Sequence, residues 1–248
     1  MHNNKKAIVL LSGGLDSTTT LYWALDKGYR CHCLVFDYGQ RHRREILAAK
    51  RICQRAGCSA RVVKITLPHH GSSLLNRHMR LPQRPQGVLS EVEGRANAPT
   101  RKRANIIPNT YVPARNIIFL SLAASFAETQ KAQAIFIGAN AVDYSGYPDC
   151  RPEFFRQFIR AIAAGTKSGV EGKKIKIITP LIYKSKKEIV QTGQRLDVPF
   201  ALTWSCYKGG RFPCGECDSC RLRQKGFREA GLKDPLYANV HEFITNRH

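Results

Sequence analysis

Short apolar runs alternate with helix-length segments along residues 7–66, and this alternation limits the possible folds more than any other feature of the chain. Ala7–Leu11, His32–Asp37 and Arg61–Thr66 have the length and composition of strands. Between them, Asp16–Lys27 and Arg43–Ala56 carry apolar residues at helical spacing. Strands joined by helices in this way form a parallel sheet covered on both faces. The sequence therefore predicts an α/β fold with a doubly wound parallel sheet.

The same alternation returns in the second half of the chain. The predicted elements there are a helix at Asn116–Glu128, a strand at Ala134–Ile137, a helix at Glu153–Ala164, a strand at Ile175–Thr179 and a helix at Lys184–Leu196. Residues 67–108 interrupt the pattern with prolines and arginines, which predicts a basic, partly disordered insertion. We expect an α/β domain at residues 1–200 that contains this insertion, followed by a small module at residues 201–248.

The charge balance indicates an anionic ligand. Lys+Arg 40 against Asp+Glu 18 gives a net charge of +22, and residues 41–115 hold 16 basic and 3 acidic residues. Such a field concentrates nucleotides, acidic metabolites or RNA, although a solvated basic face gives the same count. The apolar runs are far shorter than the roughly 20 residues of a membrane span, and the first residues do not resemble a signal peptide. We expect a cytoplasmic protein without membrane contact.

A glycine-containing loop separates the first predicted strand from the first helix. Its sequence is SGGLDS, from Ser12 to Ser17. Glycines allow the backbone to approach a ligand closely, and amides at a helix start favour an anion. The loop has neither the Walker pattern nor GxGxxG, which disfavours Walker-type ATPases and dehydrogenases. An ordinary capped helix start is the structural alternative.

Four cysteines crowd into a segment of fifteen residues near the C-terminus. Cys206, Cys214, Cys217 and Cys220 follow the spacing C-x7-C-x2-C-x2-C, which provides four soft ligands. A closed tetrahedral Zn²⁺ site of this kind stabilises structure and leaves no open position for catalysis. An iron–sulfur cluster and free redox thiols remain as alternatives.

The motifs together resemble a known family. SGGxDS after a hydrophobic strand resembles the loop of the ATP pyrophosphatase superfamily, which adenylates a carbonyl or carboxyl oxygen and releases pyrophosphate. With FDYGQRH at 36–42, NTYVPARN at 109–116, DYSGYPDCR at 143–151, TPL at 179–181 and SCYKGGRFPCGECDSCRLR at 205–223, nearly the whole chain resembles the 7-cyano-7-deazaguanine synthase family. The chain departs from the family in its long basic insertion and in Ala114, where glycine is common.

This resemblance implies a fold and an activity. The fold is Rossmann-like, of the adenine nucleotide alpha hydrolase type, with a C-terminal zinc module. The activity is that of a nitrile-forming carbon–nitrogen ligase of queuosine biosynthesis, which converts 7-carboxy-7-deazaguanine and ammonia with ATP and Mg²⁺. The resemblance also implies a homodimer that needs no nucleic acid for catalysis.

The resemblance also implies roles for individual residues. Those expected to bind the nucleotide are Leu11, Ser12, Gly13, Gly14, Leu15, Asp16, Ser17, Thr18, Asp37 and Tyr38. Those expected to bind the substrate are Gln40, Arg41, His42, Arg115, Asn116, Asp143, Tyr144, Tyr147, Asp149 and Arg151. The expected catalytic residues are Asp16, Arg115, Asp143 and Lys186, and the candidate Mg²⁺ carboxylates are Asp16, Asp143 and Asp149. Cys150 is either a covalent nucleophile or a bystander, since ammonia can attack an acyl adenylate directly.

Two other functions are compatible with parts of the sequence. A tRNA thiolation enzyme of the same superfamily would also need the basic charge, together with a reactive cysteine that is not held by a metal. A zinc-ribbon RNA-binding module would use the basic insertion to grip phosphates. Residues 67–108 contain no Phe, Tyr or Trp to stack on bases, which disfavours the second alternative.

Overall fold

A five-stranded parallel sheet forms the centre of the molecule. The computed structural model describes residues 5–40, 44–68, 72–76, 79, 81, 107–142 and 146–237. The strands are β1 (Lys5–Leu10), β2 (Tyr29–Asp37), β3 (Ser59–Lys64), β4 (Ala134–Ile137) and β5 (Lys176–Ile178). Their order is β3-β2-β1-β4-β5, and every neighbouring pair is parallel. The predicted doubly wound sheet is confirmed.

Helices cover both faces of the sheet. They are α1 (Leu15–Asp26), α2 (Arg44–Arg55), α3 (Arg115–Thr129), α4 (Pro152–Gly165), α5 (Lys167–Val170), α6 (Lys186–Arg195) and α7 (Asp218–Glu229), with 3₁₀ turns at Pro148–Cys150 and Phe200–Leu202. Among these described residues no helix is both long and apolar enough to traverse a bilayer.

The core has two layers because successive side chains of a strand point to opposite faces of the sheet. Ile8 and Leu10 of β1 belong to a buried cluster on one face, and Ala7 and Val9 belong to a cluster on the other. Burial on both faces explains why the strands appear in the sequence as continuous apolar runs.

The C-terminal cysteines belong to the second of these layers. Cys206, Cys217 and Cys220 are almost completely buried in the same cluster as Ala7 and Val9 of β1. The cysteine segment, residues 204–223, therefore contributes to the core on this face of the sheet. The division of the chain at residue 200 remains a prediction.

Much of the predicted insertion at residues 67–108 lies outside the described residues. In its described part, Leu67, Leu74 and Leu75 are buried in the core, and the Ser73 amide donates to the Asn109 carbonyl over 2.8 Å. The start of the insertion therefore contributes to the core and is hydrogen-bonded to the chain just after its end.

The strand order places a ligand position between β1 and β4. The chain leaves β1 toward β2 on one side and later returns to β4 on the other, so the connections after β1 and β4 diverge. In open α/β sheets, ligands bind at this point, outside the carboxyl ends of the strands.

Candidate active site

The SGGLDS loop connects the end of β1 to the start of α1 and is fixed by its own hydroxyl groups. Ser12 Oγ lies 2.9 Å from Ser17 Oγ, which also accepts from the Ser12 amide over 3.2 Å. Thr18 Oγ1 donates to the Gly14 carbonyl over 2.7 Å. These bonds hold the loop around the helix start, where free amides can face an anion.

Gly13 is required by both conformation and space. Its φ is 84°, in the left-handed region that favours glycine. A Cβ at this position would lie 2.4 Å from the Glu45 carbonyl oxygen of α2. Helix α2 therefore packs directly against the backbone of the loop.

Asp16 and Lys186 form an ion pair inside the site. Lys186 Nζ lies 2.9 Å from each carboxylate oxygen of Asp16. The Lys186 side chain is only 9% exposed and the Asp16 side chain 19%, so water screens the pair weakly. Lys186 is the first residue of α6, which begins with a capping box between Ser185 and Glu188.

Helix α7 leaves room for the Lys186 side chain because it has a glycine, Gly226, at the point of contact. A Cβ on Gly226 of α7 would lie 2.5 Å from Lys186 Cγ and 3.0 Å from Lys186 Cβ. The helix that carries Cys220 therefore has to present a glycine here for Lys186 to reach Asp16.

Arg115 enters the site from the start of α3. Its guanidinium donates to the Tyr38 hydroxyl over 3.5 Å. Burial alone would lower the pKa of Arg115, but the nearby Tyr38, Asp149, Cys150 and Tyr147 raise it above its usual value. The site therefore contains a permanent cation, suited to a phosphate or a carboxylate.

Asp149 fixes the start of α3 rather than facing the cavity. Its Oδ2 accepts from the Asn116 amide over 3.0 Å, and its carbonyl accepts from Asn116 Nδ2 over 3.0 Å. Burial raises the pKa of this carboxyl, although the Asn116 amide and Arg115 counteract the effect. Asn116 Nδ2 also donates to Cys150 Sγ over 3.3 Å.

A single cavity at the carboxyl edge of the sheet collects most of the predicted site residues. Those that line it are Leu11, Ser12, Gly14, Leu15, Asp16, Ser17, Tyr38, Gln40, Arg115, Asn116, Tyr147 and Lys186. The motifs at 12–17, 36–40 and 109–116, the Tyr147 loop and the start of α6 thus meet in one place.

Nine predicted site residues do not appear in this lining. Gly13 faces α2, the fully buried Thr18 bonds the Gly14 carbonyl, and Asp149 bonds Asn116. Asp37, the last residue of β2, and Arg151, just before α4, also lie away from the cavity wall. The remaining four, Arg41, His42, Asp143 and Tyr144, lie outside the described residues.

Several lining residues were not predicted from the sequence. One of them is Phe119, which stacks on Phe36 with ring centres 4.0 Å apart and forms an apolar wall with it, whereas Phe36 itself lies in the predicted FDYGQRH motif at the end of β2. The other unpredicted residues include Glu45, Gly138, Asn140, Trp204, Ser205, Tyr207, Ser219, Leu222 and Arg223. Phe119 has the spacing of a helical core residue in the sequence, which does not indicate a cavity. The residues from Trp204 to Arg223 belong to the cysteine segment, whose pattern indicates a metal site only.

Arg223 is held rigidly at the base of this wall. It is 1% exposed and pairs with Asp234 through Nε at 2.6 Å and Nη2 at 2.8 Å. It also donates to Thr203 Oγ1 and the Phe200 carbonyl. Such a fully bonded buried arginine ties the cysteine segment to the loop before it.

The four clustered cysteines fit a tetrahedral metal. Cys206, Cys214, Cys217 and Cys220 place their sulfur atoms within 4.8 Å of one another. Bonds of about 2.3 Å to Zn²⁺ put sulfurs roughly 4 Å apart, so only a small contraction is needed. The Cys214 amide donates to Cys206 Sγ over 3.3 Å, and the Cys217 amide to Cys214 Sγ over 3.4 Å. Hydrogen bonds from Cys217 and Cys220 lower the pKa of Cys206.

Ala114 adopts a strained conformation immediately before Arg115. Its φ is 54°, in the left-handed region, and its amide donates to the Tyr111 hydroxyl over 3.0 Å. We expect Ala114→Gly to raise the free energy of unfolding by about 1 kcal/mol, because glycine adopts this conformation without a Cβ clash. Thermal unfolding measures the change. Ala123→Gly, in the middle of α3, should lower stability, and the same sign for both variants would contradict the expectation.

The fold and the loop define a class of protein, the nucleotide-binding α/β folds. A glycine loop after the first strand of a parallel sheet faces a cavity that contains the buried Lys186 and the half-buried Arg115, an arrangement suited to an anionic ligand such as a nucleotide.

The sequence comparisons define the family. Residues 6–231 match the family described as queuosine biosynthesis protein QueC, and the chain belongs to that family. A protein of Thermoplasma volcanium is 49% identical, over 97% of this chain and 94% of its own length. A protein of Acetivibrio thermocellus is 51% identical, over 94% and 97%. A protein of Picrophilus torridus is 47% identical, over 98% of both. All three are named 7-cyano-7-deazaguanine synthase.

Proposed function

We propose that the chain is an ATP-dependent carbon–nitrogen ligase that converts 7-carboxy-7-deazaguanine and ammonia into 7-cyano-7-deazaguanine. The names of its relatives supply the product. The structural observation that carries the proposal is that the SGGLDS loop and Arg115 open into the same cavity. A phosphate group on the loop and a substrate carboxylate near Arg115 would then lie side by side.

The chemistry requires two activations of the substrate. A carboxylate becomes a nitrile by losing both oxygens, and each oxygen must first become part of a good leaving group. Attack of the carboxylate on the α-phosphorus of ATP releases pyrophosphate, and ammonia then displaces AMP to give an amide. Adenylation of the amide oxygen and loss of AMP with two N–H protons give the nitrile. The reaction therefore consumes two ATP per product.

The loop and its ion pair would stabilise the departing pyrophosphate. Ser12, Gly14 and Ser17 offer hydroxyl and amide donors, and Lys186 supplies a positive charge. Preorganised donors at a site of developing negative charge lower the barrier without reorganisation. Among the described candidates, Asp16 alone lines the cavity as a carboxylate that could hold Mg²⁺.

Arg115 and the aromatic wall would hold the substrate. The guanidinium can pair with the carboxylate before adenylation. Phe36, Phe119, Tyr38 and Tyr147 provide flat apolar surface on which a purine-like ring can pack. Gln40 is only partly available to a ligand, because its Oε1 accepts from the Tyr38 amide over 2.9 Å and its Nε2 donates to the Phe36 carbonyl over 3.1 Å.

The four cysteines would hold a structural Zn²⁺. All four ligand positions are filled by sulfur, so the ion would brace the cysteine segment and take no part in the reaction. We further propose a cytoplasmic homodimer that acts on the free base without bound nucleic acid.

Product detection tests the proposed function directly. Purified protein is incubated with 7-carboxy-7-deazaguanine, ammonium and Mg-ATP, and the products are identified by mass spectrometry. We expect the nitrile, the amide as an intermediate, and AMP. A protein that forms no nitrile but incorporates sulfur into tRNA would support the thiolation alternative. Binding of RNA without AMP release would support an RNA-binding module.

The structure favours direct attack of ammonia over a covalent intermediate on Cys150. Burial, followed by the charge of Asp149, raises the pKa of the Cys150 thiol to about 12. Thiolate, the nucleophilic form, is therefore scarce at neutral pH. We expect Cys150→Ala to keep turnover within about tenfold of the unmodified chain, whereas loss of a nucleophile costs several orders of magnitude. Turnover with intact protein mass spectrometry measures this, and a trapped thioester would contradict it.

A further inference from the structure

Trp204 connects the phosphate loop to the cysteine cluster. Its backbone amide donates to the Gly13 carbonyl over 2.8 Å. Its indole Nε1 donates to the Cys206 carbonyl over 3.1 Å. The side chain is buried and lines the cavity. One residue therefore contacts both the loop that would hold pyrophosphate and the first of the four cysteines.

Helix α2 holds this connection in place from the other side. The Arg44 guanidinium lies over the Trp204 ring, 5.0 Å from its centre. Arg44 also donates to the Arg211 carbonyl in the cysteine segment over 2.6 Å. Because Gly13 is packed against the Glu45 carbonyl of the same helix, the loop has little room to move independently of Trp204.

The position of Cys206 depends on what holds the four sulfurs together. Cys206 stands eight residues before Cys214, on the stretch that also carries Trp204. An ion shared by the four thiolates would tie this stretch to the start of α7. Without the ion, no coordination bonds link this stretch to the start of α7.

We infer that Trp204 is a positioning residue that couples metal binding at the four cysteines to ATP binding at the phosphate loop. The inference rests on the proposed use of the loop for ATP. Coupling of two sites is reciprocal, so Mg-ATP must then tighten the binding of the metal. The coupling needs no direct contact between the metal and the nucleotide.

Competition for zinc measures this coupling in the full chain. The zinc dissociation constant is determined against a chromophoric chelator at equilibrium, with and without saturating Mg-ATP. We expect Mg-ATP to tighten zinc binding about tenfold, in the range usual for coupled sites. In Trp204→Phe, which lacks the indole N–H, the tightening of zinc binding by Mg-ATP should fall below about twofold. Trp23→Phe is the matched control, since Trp23 contacts Phe136 and Lys27 instead, and should keep the full factor.

The outcomes separate this inference from the proposed function. An equal effect of Mg-ATP in Trp204→Phe and in the unmodified chain would overturn the coupling alone. Calorimetry that detects no Mg-ATP binding to the zinc-loaded chain would overturn both.

The chain has two tryptophans, so Trp23→Phe leaves Trp204 as the sole indole fluorophore and tests the coupling without altering Trp204. Its emission should change on zinc removal and on Mg-ATP addition, and no change in either case would also overturn the inference.

Discussion

We expect Asp16→Asn to suppress the release of AMP and pyrophosphate strongly while the chain remains folded. The substitution removes the carboxylate that pairs with Lys186 at 2.9 Å and that could hold Mg²⁺. Loss of one preorganised electrostatic group typically lowers the rate by about 100-fold to 1000-fold, and we expect at least the lower value. A coupled pyrophosphate assay with quantified AMP measures the loss.

A matched control separates this effect from damage to α1. Asp26 lies at the other end of the same helix and forms an exposed pair with Lys27. Exposed pairs contribute little, so Asp26→Asn should leave both turnover and thermal unfolding unchanged. Full turnover in Asp16→Asn would contradict the assignment of the loop.

We expect Cys217→Ser to prevent metal binding and to lower the free energy of unfolding by several kcal/mol. Cys217 is fully buried in the cluster that also contains Ala7 and Val9 of the central strand. Structural zinc contributes about 10–16 kcal/mol in small peptides, so a loss on the order of 5 kcal/mol is expected here. Elemental analysis and denaturant unfolding measure the two effects together.

The control for this variant is a buried cysteine that is not one of the four grouped sulfur ligands. Cys53 is 2% exposed, and Cys53→Ser should cost only about 1–3 kcal/mol, from burial of a hydroxyl, with the metal retained. A Cys217→Ser chain with full zinc content would contradict the four-cysteine site. Iron with labile sulfide in the unmodified chain would contradict zinc.

The sheet could be predicted because its strands are buried on both faces. Strand β4 has the predicted bounds, Ala134–Ile137. Strand β1 starts two residues earlier than predicted, because Lys5 and Lys6 pair with Tyr29 and Arg30 through the backbone. Backbone pairing of polar residues leaves no trace in a pattern of apolar side chains.

The loop part of the site could be predicted because its residues are contiguous. The cavity wall from Trp204 to Arg223 could not be predicted, since it forms only when the cysteine segment packs against a loop nearly two hundred residues earlier in the chain.

The position of Asp149 could not be predicted for a different reason. Its motif suggested substrate binding, but an open amide at the start of α3 binds its carboxylate, and helix starts provide such donors regardless of ligand.

We propose that ATP activates each carboxyl oxygen of the substrate in turn. The decisive substrate is 7-carboxy-7-deazaguanine whose carboxylate contains heavy oxygen in both positions. We predict two AMP per nitrile, each with one heavy oxygen, because both oxygens leave as part of an adenylate. Heavy oxygen in inorganic phosphate or in water, with unlabelled AMP, would contradict activation of the oxygens by adenylation.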